Sequence, residues 1–144
     1  MTRVPIEPMG STVRKTNSGP GRVLVAVYGI FALAATARAS VQLLTKFEQA
    51  PLAYLLSALA GVIYIVATIT LARGTRASRR LALIAIIIEL VGVVSVGTLS
   101  VLNPEAFPRA TVWSSYGIGY GFVPLVLPIL GLAWLWRTRP VNPQ

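Results

Sequence analysis

Four long apolar stretches constrain the fold of this chain more than any other feature of its sequence. They cover residues 23–44, 52–72, 81–102 and about 117–136. Each has the ~20 residues that a helix needs to cross a hydrocarbon core ~30 Å thick. None shows the alternation of polar and apolar residues that is typical of a membrane β-barrel. The sequence therefore predicts an all-α membrane protein of the multi-pass type in the cell membrane, a four-transmembrane-helix bundle.

The basic residues predict the topology of this bundle. Ten Lys and Arg residues lie before the first stretch, between the second and third, or after the fourth, whereas only Lys46 and Arg109 lie in the other two connectors. Since such residues accumulate in cytoplasmic segments, both termini should be cytoplasmic. Residues 1–22 then form a disordered basic tail, 23–136 the membrane domain and 137–144 a second cytoplasmic tail. The connectors are short, so neighbouring helices should be antiparallel.

The net charge of +9 could also indicate a nucleic-acid partner. The basic residues flank the apolar stretches, however, as membrane topology requires, and we predict no nucleic-acid partner. Membrane lipids, a second copy of the chain or other membrane subunits are the expected partners.

The N-terminal part of the chain allows a second interpretation. Its basic start, its first apolar residues and the triplet Ala37-Arg38-Ala39 also fit a secretory signal peptide, with residues 1–39 removed. The apolar pattern resumes at Val41, which favours an intact first span. Cleavage stays open from the sequence alone.

The absence of Cys and His narrows the possible chemistry. Without them there are no disulfides, no Cys/His zinc site, no Cys-ligated iron–sulfur cluster and no His-ligated haem. The sequence contains no cluster of carboxylates that would suggest a metal site, and no nucleophile–base pair that would suggest an enzyme. We therefore expect no metal, no cofactor of the protein's own and no catalytic residues. A bound quinone or lipid requires none of these ligands.

Arg38 and Glu89 are the only charged residues inside the apolar stretches. Ionisable groups at this depth are costly and face protein, water or a partner. At ~1.5 Å per residue, Arg38 lies ~22 Å and Glu89 ~12 Å from the cytoplasmic edge. A direct salt bridge would need different helix limits, and it is left open. Tyr64 lies at the depth of Glu89, which makes it a candidate hydrogen-bond partner.

A stripe of small and polar residues predicts how the second and third helices pack. Such stripes mark helix interfaces in lipid, where close approach and hydrogen bonds replace the hydrophobic effect. The second stretch carries Tyr54, Ser57, Gly61, Tyr64 and Thr68, and the third carries Ala82, Ala85, Glu89, Gly92 and Val96. We expect these two faces to meet, with Ser57, Gly61 and Gly92 as the positions of closest packing.

Two other segments carry predictions. The loop over residues 73–80 could bind anionic lipid headgroups, although control of topology is the simpler explanation. Its basic residues are Arg73, Arg76, Arg79 and Arg80.

Near the fourth stretch, Trp113 fits the aromatic belt of the non-cytoplasmic interface. Pro124 and Pro128 predict a bend, because proline removes a backbone donor from a helix.

The whole chain resembles small four-span integral membrane proteins of high-GC actinobacteria. The resemblance comes from its length, its Ala-, Val- and Arg-rich composition and the run Pro-Leu-Ala-Tyr-Leu-Leu-Ser-Ala-Leu-Ala-Gly at residues 51–61. It implies a membrane bundle and carries over no catalytic residues. The size also resembles that of small multidrug exporters, but their membrane carboxylate belongs in the first span and Glu89 is in the third.

Three functions remain after these observations. The first is an accessory or scaffolding subunit of a larger membrane complex, which the scarcity of chemistry favours. The second is a small proton-coupled transporter that acts as a homo-oligomer through Glu89. The third is a lipid- or quinone-binding membrane protein that uses Arg38.

Overall fold

The helices of the chain were located in a computed structural model, which describes residues 19–139. Four α-helices account for most of this range: α1 (Pro20–Thr45), α2 (Pro51–Arg73), α3 (Arg76–Leu102) and α4 (Val123–Arg137). Short 3₁₀ helices lie in the connectors at Phe47–Gln49, Pro104–Ala106 and Ser114–Tyr120, and no strand occurs within residues 19–139. Residues 1–18 of the predicted basic tail and residues 140–144 of the second tail lie outside the described range.

Three helices have the length and composition of membrane spans. α1, α2 and α3 contain 26, 23 and 27 residues and pass as candidate spans. Large apolar side chains point away from the bundle along all three, including Leu33 at 75% exposure, Val62 at 57% and Val91 at 59%. Because water would penalise so much exposed apolar surface, the protein is an integral membrane protein that crosses the bilayer several times.

The C-terminal part departs from the predicted fourth span. A continuous helix over residues 117–136 is not present, because α4 begins only at Val123 and has 15 residues, or ~22 Å. The preceding 3₁₀ helix lies at 98° to α4. The chain therefore has a fourth span only if these two helices cross the membrane together as one bent span. The break follows from left-handed backbone at Tyr116, with φ of 61°, and at Phe122, with φ of 62°. A regular right-handed helix cannot continue through such residues.

The connector between α2 and α3 is much shorter than the predicted loop. α2 ends at Arg73, and Gly74 directly after it adopts a left-handed φ of 71°. Thr75 then caps α3, since its hydroxyl oxygen accepts a hydrogen bond from the Ser78 backbone N–H at 3.1 Å. The remaining arginines of the predicted 73–80 loop therefore lie on the first turns of α3.

Helices that follow one another in the chain pack against each other in the bundle. α1 packs mainly on α2, α2 also packs on α3, and α3 packs on α4 and on the 3₁₀ helix before it. The connector after α3 folds back into the bundle, where Val112 is 5% and Trp113 1% exposed. Trp113 is thus a core residue, and its predicted place in an interfacial belt is wrong.

Candidate functional site

Glu89 lies in the centre of the bundle and has a different partner from the predicted one. Its carboxyl is fully buried, and Oε1 accepts a hydrogen bond of 2.6 Å from the hydroxyl of Tyr28 on α1. Side chains in a helix lean toward its N-terminus. The Glu89 side chain therefore leans toward Tyr28, which is nearer to the N-terminus of α1 than Glu89 is to the N-terminus of α3. The second carboxyl oxygen, Oε2, has no hydrogen-bond partner within the described part of the chain. The Glu89 contact therefore ties α3 to α1.

Tyr64 is as buried as Glu89 but uses its hydroxyl elsewhere. The hydroxyl accepts a hydrogen bond of 2.9 Å from Trp113 Nε1. Its ring packs against Tyr28 and Phe31, with centroids 6.2 and 5.8 Å away. The predicted hydrogen bond between Tyr64 and Glu89 is not formed. Equal depth brought the two residues to the same layer of the bundle, but rotation about the helix axes decided which groups face each other.

The predicted packing faces are also paired differently. A methyl group at Gly61 would lie 3.1 Å from Thr36 Oγ1, so this glycine faces α1 rather than α3. In the same stripe, the methyl group of Thr68 lies 3.6 Å from the place that a Cβ at Gly29 of α1 would take. The small-residue stripe of α2, in which Ser57 is also buried, thus allows close approach of α1.

Gly92 of α3 accommodates a side chain from a connector rather than another long helix. A Cβ there would lie 2.5 Å from Cζ3 of Trp113, which explains why the position holds glycine. The sequence analysis missed Tyr28 as the partner of Glu89, and it placed Trp113 at the interface instead of in the core. The signal for Tyr28 was present, because a tyrosine hydroxyl within an apolar span requires a hydrogen-bond partner.

Arg38 lies at the end of the bundle that contains the α1–α2 connector, and it shares no contact with Glu89. Its Nη1 donates a hydrogen bond to the hydroxyl of Tyr120, and the two charged residues form no salt bridge. The arginine faces a cavity of about 390 Å³, called the Arg38 cavity below. Its lining residues are Arg38, Gln42, Lys46, Gln49, Tyr54, Arg109 and Ala110.

The lining of the Arg38 cavity is strongly positive. Arg38 comes from α1, Lys46 from the α1–α2 connector and Arg109 from the connector after α3. No carboxylate belongs to the lining, and Glu48 and Glu105, which lie in the same two connectors, are exposed and outside it. The cavity therefore brings three cationic groups together without an acidic partner.

One neutral group in the same cavity is also incompletely satisfied. Oε1 of Gln42 is buried and has no hydrogen-bond partner in the described residues. Buried polar atoms normally have at least one partner, so this oxygen is an exception. Because it is closed to solvent, it is not a contact that the cavity offers to a ligand, and the ligand-facing groups of the Arg38 cavity are the cationic donors.

The arginines at the opposite end of the bundle divide into two kinds. Arg79 donates hydrogen bonds to the Leu135 carbonyl at 2.6 Å and to Thr138 Oγ1 at 2.9 Å, at the C-terminus of α4. Cationic groups stabilise helix C-termini, so Arg79 holds α4 instead of facing lipid as predicted. The other predicted headgroup residues, Arg73, Arg76 and Arg80, are exposed.

Comparison with protein-family models, curated proteins and solved structures gave no match for this chain. The resemblance to actinobacterial four-span proteins therefore stays a prediction. Among residues 19–139, no group of three or more acidic, His or Cys side chains could hold a metal ion. The Arg38 cavity and the buried Glu89–Tyr28 pair are thus the two features from which function can be argued.

Proposed function

We propose that this integral membrane protein binds a small anionic group in the Arg38 cavity. One observation carries the proposal: Arg38, Lys46 and Arg109 converge from three separate segments on one cavity that no carboxylate lines. Like charges held together repel, and a bound anion would relieve this repulsion. The volume of about 390 Å³ lies within the range of small-molecule sites.

The lining groups suit recognition of an oxyanion. An arginine guanidinium presents a planar set of donors that matches carboxylate or phosphate oxygens, while a lysine ammonium acts as a compact charge. The bond from Arg38 to Tyr120 uses Nη1 and leaves other guanidinium donors for a ligand. An anion in the cavity would therefore be bound by the free donors of Arg38 together with Lys46 and Arg109.

Thermal unfolding of the purified protein in detergent tests this function. Phosphate or sulfate at constant ionic strength should raise the midpoint of the wild-type protein, because a ligand that binds only the folded state stabilises it. The stabilisation should fall in Lys46→Gln and in Arg109→Gln. Arg73→Gln is the matched control, since it removes the same charge from the exposed opposite end. Equal stabilisation by chloride, or in all variants, would contradict the proposal.

The other two predicted functions have weaker support. An accessory or scaffolding role stays a prediction, because the exposed apolar faces of α1–α3 can be covered by lipid as well as by a partner helix. Affinity purification in mild detergent tests it through a reproducible partner. For a proton-coupled transporter, Glu89 would have to exchange its proton, and its burial against Tyr28 supports a role in holding the bundle instead.

A further inference from the structure

We infer that the anion in the Arg38 cavity is the phosphate of an anionic membrane lipid. The inference rests on the proposed anion-binding function and names its ligand class. Three features of the cavity support it: its depth, the apolar surface beside its lining residues and its three cationic groups.

The cavity spans the depth at which lipid headgroups meet hydrocarbon. α1 has 26 residues and is ~39 Å long, so it exceeds the hydrocarbon core by ~9 Å. If the excess is shared between both ends, the Arg38 Cα lies ~6 Å inside the core and Lys46 lies beyond it. The lining therefore extends from the hydrocarbon edge into the headgroup region.

The surface next to the lining residues is apolar and faces the bilayer. Val41, Leu44 and Phe47 alternate in sequence with the lining residues Gln42 and Lys46. Their exposed fractions are 57%, 85% and 40%. A site for a soluble anion would not need such a border, whereas a lipid can place acyl chains along it while its phosphate enters the cavity.

The polar groups select among lipid headgroups. Three cations favour a net negative headgroup over a zwitterionic one, because a choline or ethanolamine group would add a fourth positive charge. The matching ligand is therefore an anionic phospholipid, such as phosphatidylglycerol or phosphatidic acid.

Binding to the delipidated full-length protein in detergent tests this assignment. The probes are phosphatidylglycerol, phosphatidic acid and phosphatidylcholine with identical chains, together with glycerol phosphate and inorganic phosphate. Phosphatidylglycerol and phosphatidic acid should both bind more tightly than phosphatidylcholine, because only these two bring a net negative charge to the cationic cavity. Both soluble anions should bind more weakly than either anionic lipid.

Two variants test the role of the cationic groups. Lys46→Gln should weaken both anionic lipids by about fivefold, as expected for one basic group near a headgroup. Arg73→Gln, at the opposite end, should leave both affinities unchanged.

The outcomes distinguish this inference from the proposed function. If inorganic phosphate or glycerol phosphate binds as tightly as the lipids, the anion site stands and the lipid assignment is overturned. Equal binding of phosphatidylcholine would show a non-specific lipid contact and would also overturn it. Unchanged affinities for both anionic lipids in Lys46→Gln would overturn the role of the cationic groups. If none of the anions binds, both proposals fail.

Discussion

Removal of the Tyr28 hydroxyl is the sharpest test of how the bundle is held together. In Tyr28→Phe the ring still fills its site between Tyr64 and the core, and only the 2.6 Å hydrogen bond to Glu89 disappears. Both carboxyl oxygens of Glu89 would then lack a partner in a position with 0% exposure. The change therefore isolates one contact between α1 and α3.

Two general ranges bracket the expected loss of stability. Hydrogen bonds to charged groups contribute about 1.5–3 kcal/mol in water-soluble proteins. Hydrogen bonds between membrane helices average about 0.6 kcal/mol and reach about 1.7 kcal/mol. Because Glu89 has no alternative donor on Oε2, we expect a value near the upper end of the membrane range, about 1.5 kcal/mol.

Equilibrium unfolding in mixed micelles with increasing SDS, followed by circular dichroism, measures this loss. A double-mutant cycle with Glu89→Leu should give a coupling energy of about 1 kcal/mol between the two side chains. Tyr54→Phe is the control, because Tyr54 is also buried, at 2% exposure, but lies in a separate apolar cluster. A loss in Tyr28→Phe no larger than in the control, together with zero coupling, would refute the role assigned to the pair.

Two further predictions concern close packing and the end of α4. Gly92→Ala should destabilise the protein by about 1–3 kcal/mol, because the new methyl group would lie 2.5 Å from Trp113 Cζ3. Gly119→Ala is the control, since no atom lies within 4 Å of the new methyl group. It should be tolerated in the same SDS titration. Arg79→Ala should remove two hydrogen bonds from the C-terminus of α4 and speed amide hydrogen exchange in residues 132–138. Arg80→Ala is the control, because Arg80 is exposed, and exchange in residues 132–138 should not change in it. Unchanged exchange in Arg79→Ala would contradict the capping role.

The limits of the sequence analysis are clearest at the residues of the core. Depth along a helix follows from residue counting, and it left a salt bridge between Arg38 and Glu89 open, whereas the structure gives each residue a different partner. Facing direction depends on how each helix is rotated and on what packs beside it, and here counting failed. It paired Glu89 with Tyr64, whereas the structure pairs Glu89 with Tyr28 and Tyr64 with Trp113. The Arg38 cavity was equally hidden, because Lys46 and Arg109 come from connectors 63 positions apart in the sequence.

The sequence by itself determined that this chain is helical and built for a membrane. Runs of apolar residues long enough to cross hydrocarbon leave a backbone no other way to satisfy its polar groups, apart from closed barrels. Only the tertiary structure decided how these helices meet. It turned the small-residue face of α2 toward α1, inserted Trp113 against Gly92 and broke the last span before Val123. Such choices depend on side-chain shape and hydrogen-bond geometry between segments distant in sequence, which apolar periodicity alone does not encode.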